Sequence, residues 1–250
     1  MALTDTDKFS GRDYLQQVDR VEREITASEA RDVLELGCGK GFNLYHLAQR
    51  LPHVQFVGFD YSALHARQSH HRLKSFQNTS IMRADFHNIP VSANSCDVVF
   101  EFESICHALD MKCALQSIYH TLKSGGTFIL FDGFRIRPMD QLSENEKIAR
   151  CLVEKPLGVQ EGTFINEFLL IAQEIGFEVK CVHDLSSAIL PNLQRIQAIQ
   201  KFLFPTNFQL WLAQKLLPKY LVRNVIAAML MPYMVESGIQ GYFQINLQRH

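Results

Sequence analysis

The sequence predicts an α/β protein with a doubly wound, Rossmann-like sheet and helices on both faces. Apolar runs of strand length alternate with helix-like segments through the first half of the chain, and a glycine-rich turn follows the first run. Acidic residues end the next strand-like segments. Strands joined through helices pair in parallel by right-handed crossovers, which produces this layer arrangement. We therefore expect one sheet domain over 1–250, with helical insertions, rather than two independent domains.

Five strands are expected in the first half of the chain. They cover 32–36, 54–59, about 79–84, Asp97 to Phe102 and Thr127 to Asp132. The helices between them cover 41–51, 62–76 and about 109–122. Ser62 is the predicted N-cap of the second helix because its side chain can accept a hydrogen bond from the first turn. The pair Gly125-Gly126 is expected to turn the chain into the fifth strand.

The pattern changes after residue 135. The next elements are a polar, partly helical excursion over 138–160, a helix near 163–175 ending at Gly176, and a strand from Phe177 to Val182. The segment 186–235 is mostly helical in pattern, and its prolines are expected to interrupt it: Pro191, Pro205, Pro218 and Pro232. Residues 242–247 alternate apolar and polar side chains, as an edge or antiparallel strand does.

Composition excludes several classes of protein. The chain has 250 residues, 47% hydrophobic and 20% charged, with a formal net charge of -1. Such a charge gives no general attraction to nucleic acid, so no nucleic-acid partner is expected. The six cysteines form no Cys-x-x-Cys pair, which favours reduced thiols and no metal site. The start lacks a signal-peptide core, and no apolar run reaches the roughly 20 residues that span a bilayer. A soluble, cytoplasmic protein is expected.

The run 33–41 is the most informative part of the sequence. An apolar strand reaches Glu35 and then a turn with glycine at alternating positions: Gly37, Gly39 and Gly41. Glycine allows positive φ and leaves no Cβ in the way of a ligand. In a dinucleotide fingerprint the third glycine would stand one residue later, where this chain has Phe42. S-adenosylmethionine, which has no phosphate, is the alternative ligand, and Glu35 is available for its ammonium group.

Two further acidic residues end the next strands. Asp60 closes the second strand, where a carboxylate can accept both hydroxyls of a ribose. Asp85 closes the third, where it can accept from the adenine amino group, while Tyr61 and Phe86 cover the ring. Alone, Asp60 is equally explained as a charge at a helix N-terminus, and Asp85 as an ordinary loop residue. Together with the glycine turn they lie at one edge of a parallel sheet, where such folds bind ligands.

Residues 31–135 resemble the class I S-adenosylmethionine-dependent methyltransferases. The motifs are Glu-Leu-Gly-Cys-Gly-Lys-Gly, Phe-Val-Gly-Phe-Asp, Ala-Asp-Phe-x-x-Ile-Pro, Cys-Asp-Val-Val-Phe and Leu-Lys-Ser-Gly-Gly-Thr-Phe, where Ser124 replaces the commoner proline. The resemblance implies a seven-stranded sheet with an antiparallel final strand and S-adenosylmethionine as the cofactor. The expected cofactor-binding residues are Glu35, Gly37, Cys38, Gly39, Gly41, Asp60, Tyr61, Asp85, Phe86 and Glu101. The expected parts of the domain are a core over about 31–135, lid helices over about 136–176 and 186–235, and closing strands over about 177–183 and 242–247.

The stretch after the fourth strand contains the candidate catalytic residues. It holds Glu101, Glu103 and His107 and resembles the same stretch of sterol and tocopherol C-methyltransferases, although both have a small residue at the place of Glu101. Glu103 is interpreted as a base or as a group that stabilises a cation. A histidine side chain can accept and release a proton near neutral pH, so His107 is either a base or a structural residue. Glu101 either contacts the cofactor or faces solvent.

These features favour methyl transfer to a small lipophilic acceptor such as an isoprenoid, quinone, aromatic or polyketide. The alternative is a non-catalytic protein that binds the cofactor or a partner and keeps the fold. A nucleic-acid or protein methyltransferase is disfavoured because the Asn/Asp-Pro-Pro-Tyr/Phe signature of amino-group methylation is missing after the fourth strand.

The segment 186–235 is expected to cover the acceptor. Between Leu185 and Val235 there are five cationic residues and no Asp or Glu, among many apolar residues. This pattern is explained either by a helical cap over the cofactor cleft or by a cap that also contacts an anionic membrane surface. The candidate acceptor-contacting residues are Tyr14 in a predicted N-terminal helix, Phe102, Trp211 and Tyr233. The pattern does not indicate an oligomeric state.

Overall fold

The computed structural model describes residues 1–4, 9–159 and 162–250, so residues 160 and 161 of the predicted lid lie outside the described residues. Seven strands form one sheet in the order β3-β2-β1-β4-β5-β7-β6. They are β1 (Asp32–Leu36), β2 (Gln55–Asp60), β3 (Thr79–Arg83), β4 (Cys96–Phe102), β5 (Leu122–Arg135), β6 (Phe177–Asp184) and β7 (Gln240–Arg249). The pairs from β3 to β5 are parallel, and β7 runs antiparallel to both neighbours. The predicted fold class, with its antiparallel final strand, is confirmed.

Nine α-helices lie within the described ranges. They are α1 (Gln16–Ala27), α2 (Phe42–Arg50), α3 (Ala63–Leu73), α4 (Met111–Thr121), α5 (Glu144–Glu154), α6 (Ile165–Ile175), α7 (Ser186–Leu203), α8 (Asn207–Leu216) and α9 (Lys219–Glu236). Short 3-10 turns cover Gly11–Leu15, Ile105–His107 and Met139–Gln141. Tyr14 therefore lies in a 3-10 turn before the first α-helix rather than in an α-helix.

Local sequence sets several helix ends. The Ser62 hydroxyl accepts a hydrogen bond from the backbone N–H of His65, at 3.4 Å, and starts α3 as predicted. Gly176 ends α6 in a left-handed conformation, with φ 116°. Helix α2 begins at Phe42 and not at Gly41, because Gly41 has φ 72° and belongs to the preceding turn.

The prolines of 186–235 have two different effects. Pro205 and Pro218 separate the helices, as expected, whereas Pro191 and Pro232 lie inside α7 and α9. A proline inside a helix removes a backbone hydrogen bond and typically costs about 3 kcal/mol. These two helices continue through it because they pack against each other and bury side chains beside the proline, such as Leu193 and Met234. The free energy of tertiary packing therefore outweighs the tendency of proline to break these helices.

The sheet has an apolar core on each face. Neighbouring residues on one strand, such as Val33 and Leu34 of β1, point into different cores because side chains alternate along a strand. The first core includes side chains of α1, α2 and α7, and the second includes side chains of α4 and α6. Helix α6 was expected to be part of the lid, but its Phe168 and Ala172 are buried against the sheet, so that expectation is wrong.

The final strand is more central than its sequence pattern indicated. β7 lies between β5 and β6 and is not an edge strand. Its polar residues at alternate positions, Gln244 and Asn246, are buried, with the Gln244 Nε2 donating to the Asn246 Oδ1 at 3.2 Å. Both faces of β7 are therefore covered, and its apolar and polar residues alternate because the two faces differ in polarity.

Among the helices of the described part of the chain, none is long and apolar enough to cross a membrane.

Candidate active site

A large cavity lies where the carboxyl ends of β1, β2 and β4 meet the segment that follows β3. This cofactor cleft has a volume of about 630 Å³, within the ~300–1,000 Å³ that is typical of small-molecule sites. Six of the ten residues predicted to bind the cofactor line it: Gly37, Gly39, Asp60, Tyr61, Asp85 and Phe86. These six residues therefore lie together at the edge of the sheet where the parallel strands end, as expected.

The glycine turn uses its three glycines for two reasons. All have left-handed backbones, with φ 62° at Gly37, 53° at Gly39 and 72° at Gly41. A Cβ on Gly37 would lie 2.5 Å from the Cβ of Ser104, and one on Gly41 would lie 2.5 Å from the Ser69 hydroxyl. A Cβ on Gly39 would meet no atom within 4 Å among the residues that the structure describes. Gly37 and Gly41 therefore allow close packing of the protein, and Gly39 leaves open space toward the cleft.

The Asp60 carboxylate joins the glycine turn to the second strand. One oxygen accepts from the backbone N–H of Gly39 at 3.0 Å, and the other accepts from the N–H of Ser62 at 2.8 Å. A carboxylate has about four acceptor positions, so two remain for hydroxyl donors of a ligand. Asp60 is buried yet lines the cleft, which fits the predicted ribose contact.

The far side of the cleft carries the predicted adenine residues. Tyr61 is exposed, and the Arg83 guanidinium lies 5.7 Å from its ring centre. Asp85 lies 2.6 Å from the ring nitrogen Nδ1 of His87 and also accepts from the His87 backbone N–H at 2.9 Å. Burial tends to raise the pKa of Asp85, but these hydrogen bonds hold it below its ordinary value. Asp85 is therefore an ionised acceptor near neutral pH.

Glu35 lies beneath the turn and does not reach the cleft surface. Its Oε1 accepts from Asn43 Nδ2 at 2.6 Å, and its Oε2 is buried without a hydrogen-bond partner in the described part of the protein. Burial raises the pKa of Glu35 to about 8. An unpaired carboxyl oxygen beside a glycine turn fits a cofactor that brings an ammonium group, directly or through water.

Two side chains that were predicted to contact the cofactor, Cys38 and Glu101, do not line the cleft. The Cys38 side chain is buried in the first core, where its thiol lies 3.8 Å from the Ser69 hydroxyl. Glu101 is fully buried, so it neither lines the cleft nor faces solvent. Its Oε2 accepts from the backbone N–H and hydroxyl of Ser104, at 2.7 and 2.8 Å. Glu101 thus holds the turn after β4 in place, and the expectation that it faces solvent is wrong. Its contact with the cofactor stays a prediction.

A second, smaller cavity adjoins the cleft. This acceptor cavity has a volume of about 150 Å³. Its apolar wall comes from the chain start, the loop after α5, and helices α7 and α9: Met1, Leu157, Val159, Ile189, Met231 and Val235. Glu103, Cys106 and His107 line both cavities. The predicted catalytic residues therefore lie at the boundary between the two.

Glu103 is held in an unfavourable backbone conformation. Its φ is 57°, a left-handed value that non-glycine residues rarely adopt. The Glu103 N–H donates to the carbonyl of Phe131 at 2.9 Å, and the side-chain Oε1 accepts from the Tyr242 hydroxyl at 3.0 Å and from the Met1 ammonium group. Such strain is common at functional sites, where the surroundings over-determine the conformation.

His107 is placed for access to both cavities. It ends the 3-10 turn Ile105–His107 and is exposed. Its imidazole forms no hydrogen bond with any residue that the structure describes, so the expected alternative of a hydrogen-bonded structural ring has no partner there. Its ring lies close to the loop residue Gly158, where an added Cβ would be 3.8 Å from the ring.

Asp132 is a carboxyl group of the acceptor cavity that the sequence analysis did not select. It is buried near the C-terminal end of β5. Its carboxylate accepts from the backbone N–H groups of Cys106 at 2.9 Å and Gly133 at 2.7 Å. Burial raises the pKa of Asp132 to about 7. A signal was present, because Asp132 ended the fifth predicted strand in the same way that Asp60 ended the second.

Tyr242 supports Glu103 from the final strand. Its hydroxyl accepts from Gln17 Nε2 at 2.6 Å and donates to Glu103. Burial, followed by the charge of Glu103, raises the pKa of Tyr242, so the phenol keeps its proton. The start of an antiparallel strand lies at the same sheet edge as the ends of its parallel neighbours, which is the signal that could have identified this residue.

Arg135 and Glu154 form a partly buried ion pair at the same cavity. The guanidinium donates to both carboxylate oxygens, at 2.8 and 2.6 Å. Both side chains line the acceptor cavity. Arg135 lies three residues beyond the predicted end of the fifth strand, so the pair could not be placed from the pattern.

The candidate acceptor-contacting residues lie elsewhere. Phe102 packs edge-on against Phe131, at 5.0 Å between ring centres, as part of the sheet core. Tyr14, Trp211 and Tyr233 have exposed side chains and are absent from the wall of the acceptor cavity. Helices α7 and α9 border the acceptor cavity through Ile189, Met231 and Val235, and no residue over 186–235 lines the cofactor cleft. The contacts of the four predicted residues with an acceptor stay predictions.

Comparisons with known proteins agree with this geometry. A sterol 24-C-methyltransferase of Aspergillus fumigatus is 25% identical over 183 residues, which cover 70% of this chain and 48% of that protein. The chain thus spans about half the length of the curated relatives it matches. The structure is similar to that of the cyclopropane synthase MmaA2 from Mycobacterium tuberculosis, with a TM-score of 0.81, 12% identity and coverage of 99% of this chain and 88% of the other.

A second similar structure is geranyl diphosphate C-methyltransferase from Streptomyces coelicolor A3(2). It has a TM-score of 0.70 and 14% identity, and the alignment covers 96% of this chain and 83% of that one. A family model described as "Methyltransferase domain" matches residues 27–163, which is more than half of the chain. The chain therefore belongs to the methyltransferase domain family, whose cofactor is S-adenosylmethionine, as its motifs predicted.

Proposed function

We propose that this protein transfers the methyl group of S-adenosylmethionine to a small lipophilic acceptor of isoprenoid or sterol-like type. One observation carries the proposal: the cofactor cleft and the acceptor cavity share Glu103, Cys106 and His107. Ligands in the two cavities would lie against the same side chains. The named relatives, a sterol 24-C-methyltransferase and a geranyl diphosphate C-methyltransferase, support the acceptor class.

The residues of the cleft match the parts of the cofactor. Asp60 has acceptor positions left for the ribose hydroxyls, and Asp85 is an ionised acceptor for the adenine amino group. The Oε2 of Glu35, which has no hydrogen-bond partner among the described residues, would reach the ammonium group from beneath the turn through water. When bound, S-adenosylmethionine supplies a methyl group already activated on a sulfonium centre. The protein's own contribution is then mainly to hold the acceptor in line and to manage charge and protons.

Glu103 and His107 are the proposed acid–base or charge-stabilising groups. The Tyr242 hydroxyl and the strained backbone fix the Glu103 carboxylate at the boundary of the two cavities, so it need not reorganise during the reaction. His107 has an imidazole without a hydrogen-bond partner among the described residues and is available to accept a proton. A carboxylate in this position also stabilises positive charge that develops on a carbon acceptor.

The volume of the acceptor cavity limits how much of an acceptor molecule can bind inside it. A volume of about 150 Å³ holds roughly five groups of the size of a water molecule, at about 30 Å³ each. The cavity therefore fits the reacting end of an acceptor and not a whole sterol. Its wall of leucine, valine, isoleucine and methionine suits a hydrocarbon end.

Calorimetry with S-adenosylhomocysteine tests the cofactor half of the proposal. Asp60→Ala is expected to weaken binding by about 1–3 kcal/mol, because ribose hydroxyls lose their acceptor. Asp140→Ala, at an exposed position away from the cleft, is the matched control and should bind like the wild type. Absent binding, or an equal affinity in Asp60→Ala, would show that this cleft is not the cofactor site.

A labelled methyl donor and a panel of acceptors test the catalytic half. Linear isoprenoids, sterols, quinones and small phenols should be compared, with Glu103→Gln and His107→Gln beside the wild type. Glu103→Gln keeps a hydrogen-bond acceptor for Tyr242 but removes the charge, so turnover should fall while S-adenosylhomocysteine still binds. Binding without transfer to any acceptor would instead favour the non-catalytic alternative.

A further inference from the structure

The helical segment 186–235 exposes an unusual amount of apolar surface at the end that lies away from the acceptor cavity. This helical tip comprises residues 199–221: the end of α7, all of α8 and the start of α9. Phe202 is 83% exposed, Leu216 72% and Phe208 67%. Single exposed apolar side chains are ordinary, but a cluster of them marks an interaction surface.

The helical tip and the rest of the segment 186–235 carry only positive charge. The five cationic residues between Leu185 and Val235 have no acidic residue among them, although the whole chain has a net charge of -1. They are Arg195, Lys201, Lys215, Lys219 and Arg223. None of the five pairs with an acidic side chain in the part of the protein that the structure describes. The Lys215 ammonium lies 6.0 Å from the ring centre of Trp211, so cation and exposed aromatic are adjacent.

We propose that the helical tip binds the surface of an anionic membrane. Exposed aromatic and aliphatic side chains enter the boundary between head groups and acyl chains, and lysine and arginine interact with anionic head groups. Charge decides against a second copy of the chain as the occupant, since two tips would bring like charges together. The contact is interfacial, because no helix of the described ranges is long and apolar enough to cross a bilayer.

The two long helices connect this surface to the acceptor cavity. α7 and α9 pack against each other. Ile189 of α7 and Met231 of α9 line the cavity, whereas Phe202 and Tyr220, near the other ends of the same helices, lie in the tip. Thirteen residues of α-helix span about 20 Å, so a tip at the bilayer places the cavity at that distance along the helix pair. Membrane binding itself does not depend on the proposed methyl transfer.

Vesicle co-sedimentation tests the proposal with the full chain. Vesicles of phosphatidylcholine alone should be compared with vesicles of equal parts phosphatidylcholine and phosphatidylglycerol. The wild type is expected to bind the anionic vesicles, and binding should weaken when salt rises from about 0.1 M to about 1 M, as the Debye length falls from about 10 to about 3 Å. Replacing Lys215, Lys219 and Arg223 together by Gln should lower partitioning by as much as roughly 100-fold, at about 1 kcal/mol per charge.

Two further variants distinguish membrane binding by the helical tip from nonspecific adsorption through exposed apolar residues. Trp211→Ser with Phe208→Ser should lower binding to anionic vesicles, whereas Leu170→Ser on α6, also exposed, should not. All variants should bind S-adenosylhomocysteine with the affinity of the wild type, which confirms that they are folded. The proposal is overturned if the wild type ignores anionic vesicles at low salt, if the charge variant binds equally well, or if the tip variants instead abolish self-association measured by sedimentation.

Discussion

Glu103 provides a direct test of whether backbone strain is retained at the site. With φ 57° it occupies a conformation that costs about 1–2 kcal/mol for residues with a Cβ. Glu103→Ala and Glu103→Gly both remove the carboxylate and its bond to Tyr242, so the difference between them isolates the backbone. Glycine avoids the strain but loses about 0.4–1 kcal/mol through its greater freedom in the unfolded chain. The net expectation is that Glu103→Gly is more stable than Glu103→Ala by about 1 kcal/mol.

Urea unfolding measures this difference, provided that the dependence of the free energy of unfolding on urea concentration is the same in both variants. A thermal scan should show a shift of about 2–4 °C for a chain of this size. Gln116, exposed in the middle of α4, is the control: there Gly should be less stable than Ala by about 1 kcal/mol, because the position lies inside a helix. If Gly is no more stable than Ala at position 103, the left-handed conformation is not strained and the reasoning is refuted.

Three other predictions concern the surroundings of Glu103 and the glycine turn. Tyr242→Phe should destabilise the fold by about 1–3 kcal/mol in chemical denaturation, since the buried Gln17 amide loses its acceptor, whereas Tyr220→Phe, at an exposed position, should have no effect. Gly37→Ala should lower both stability and S-adenosylhomocysteine affinity, because its Cβ would lie 2.5 Å from Ser104. Gly11→Ala, where an added Cβ meets no atom of the described residues within 4 Å, should change neither. The pKa of Asp132 is raised from 3.8 in the unfolded chain to about 7, so the folded state keeps a proton that the unfolded state has lost. This contribution to stability therefore falls as pH rises from about 4 to about 7. Subtracting the stability–pH curve of Asp132→Asn from that of the wild type should show the decline, and a flat difference would contradict it.

The strands of the first half were predictable to within a few residues because each combines an apolar run with a clear turn. Asp60 and Asp85 followed from the same rule, since parallel strands end at one edge of the sheet. The burial of Glu101 could not be predicted in this way. Residues two apart on a strand share a face, so only the turn after β4 decides whether Glu101 or Glu103 is buried. Glu101 is used inside the protein to hold Ser104, while Glu103 reaches the cavity.

The acceptor side was much less predictable than the cofactor side. Its wall combines residues far apart in the chain, such as Leu157 and Met231, and no local pattern relates them. Trp211 lies on α8, which contributes no residue to the described wall, and Tyr233 lies on α9 with its side chain exposed to solvent. Pro191 was expected to end a helix, and tertiary packing of α7 on α9 prevailed over that local preference.

The central position of β7 has a consequence for the order in which the protein becomes complete on the ribosome. The glycine turn, Asp60 and Asp85 belong to the first strands to be made, and these can pair before the last residues are synthesised. β6 has no neighbour in the sheet until β7 inserts beside β5. Tyr242, on that last strand, also brings the hydroxyl that orients Glu103. A nascent chain therefore has the strands that carry Asp60 and the glycine turn before it has the hydroxyl that orients Glu103.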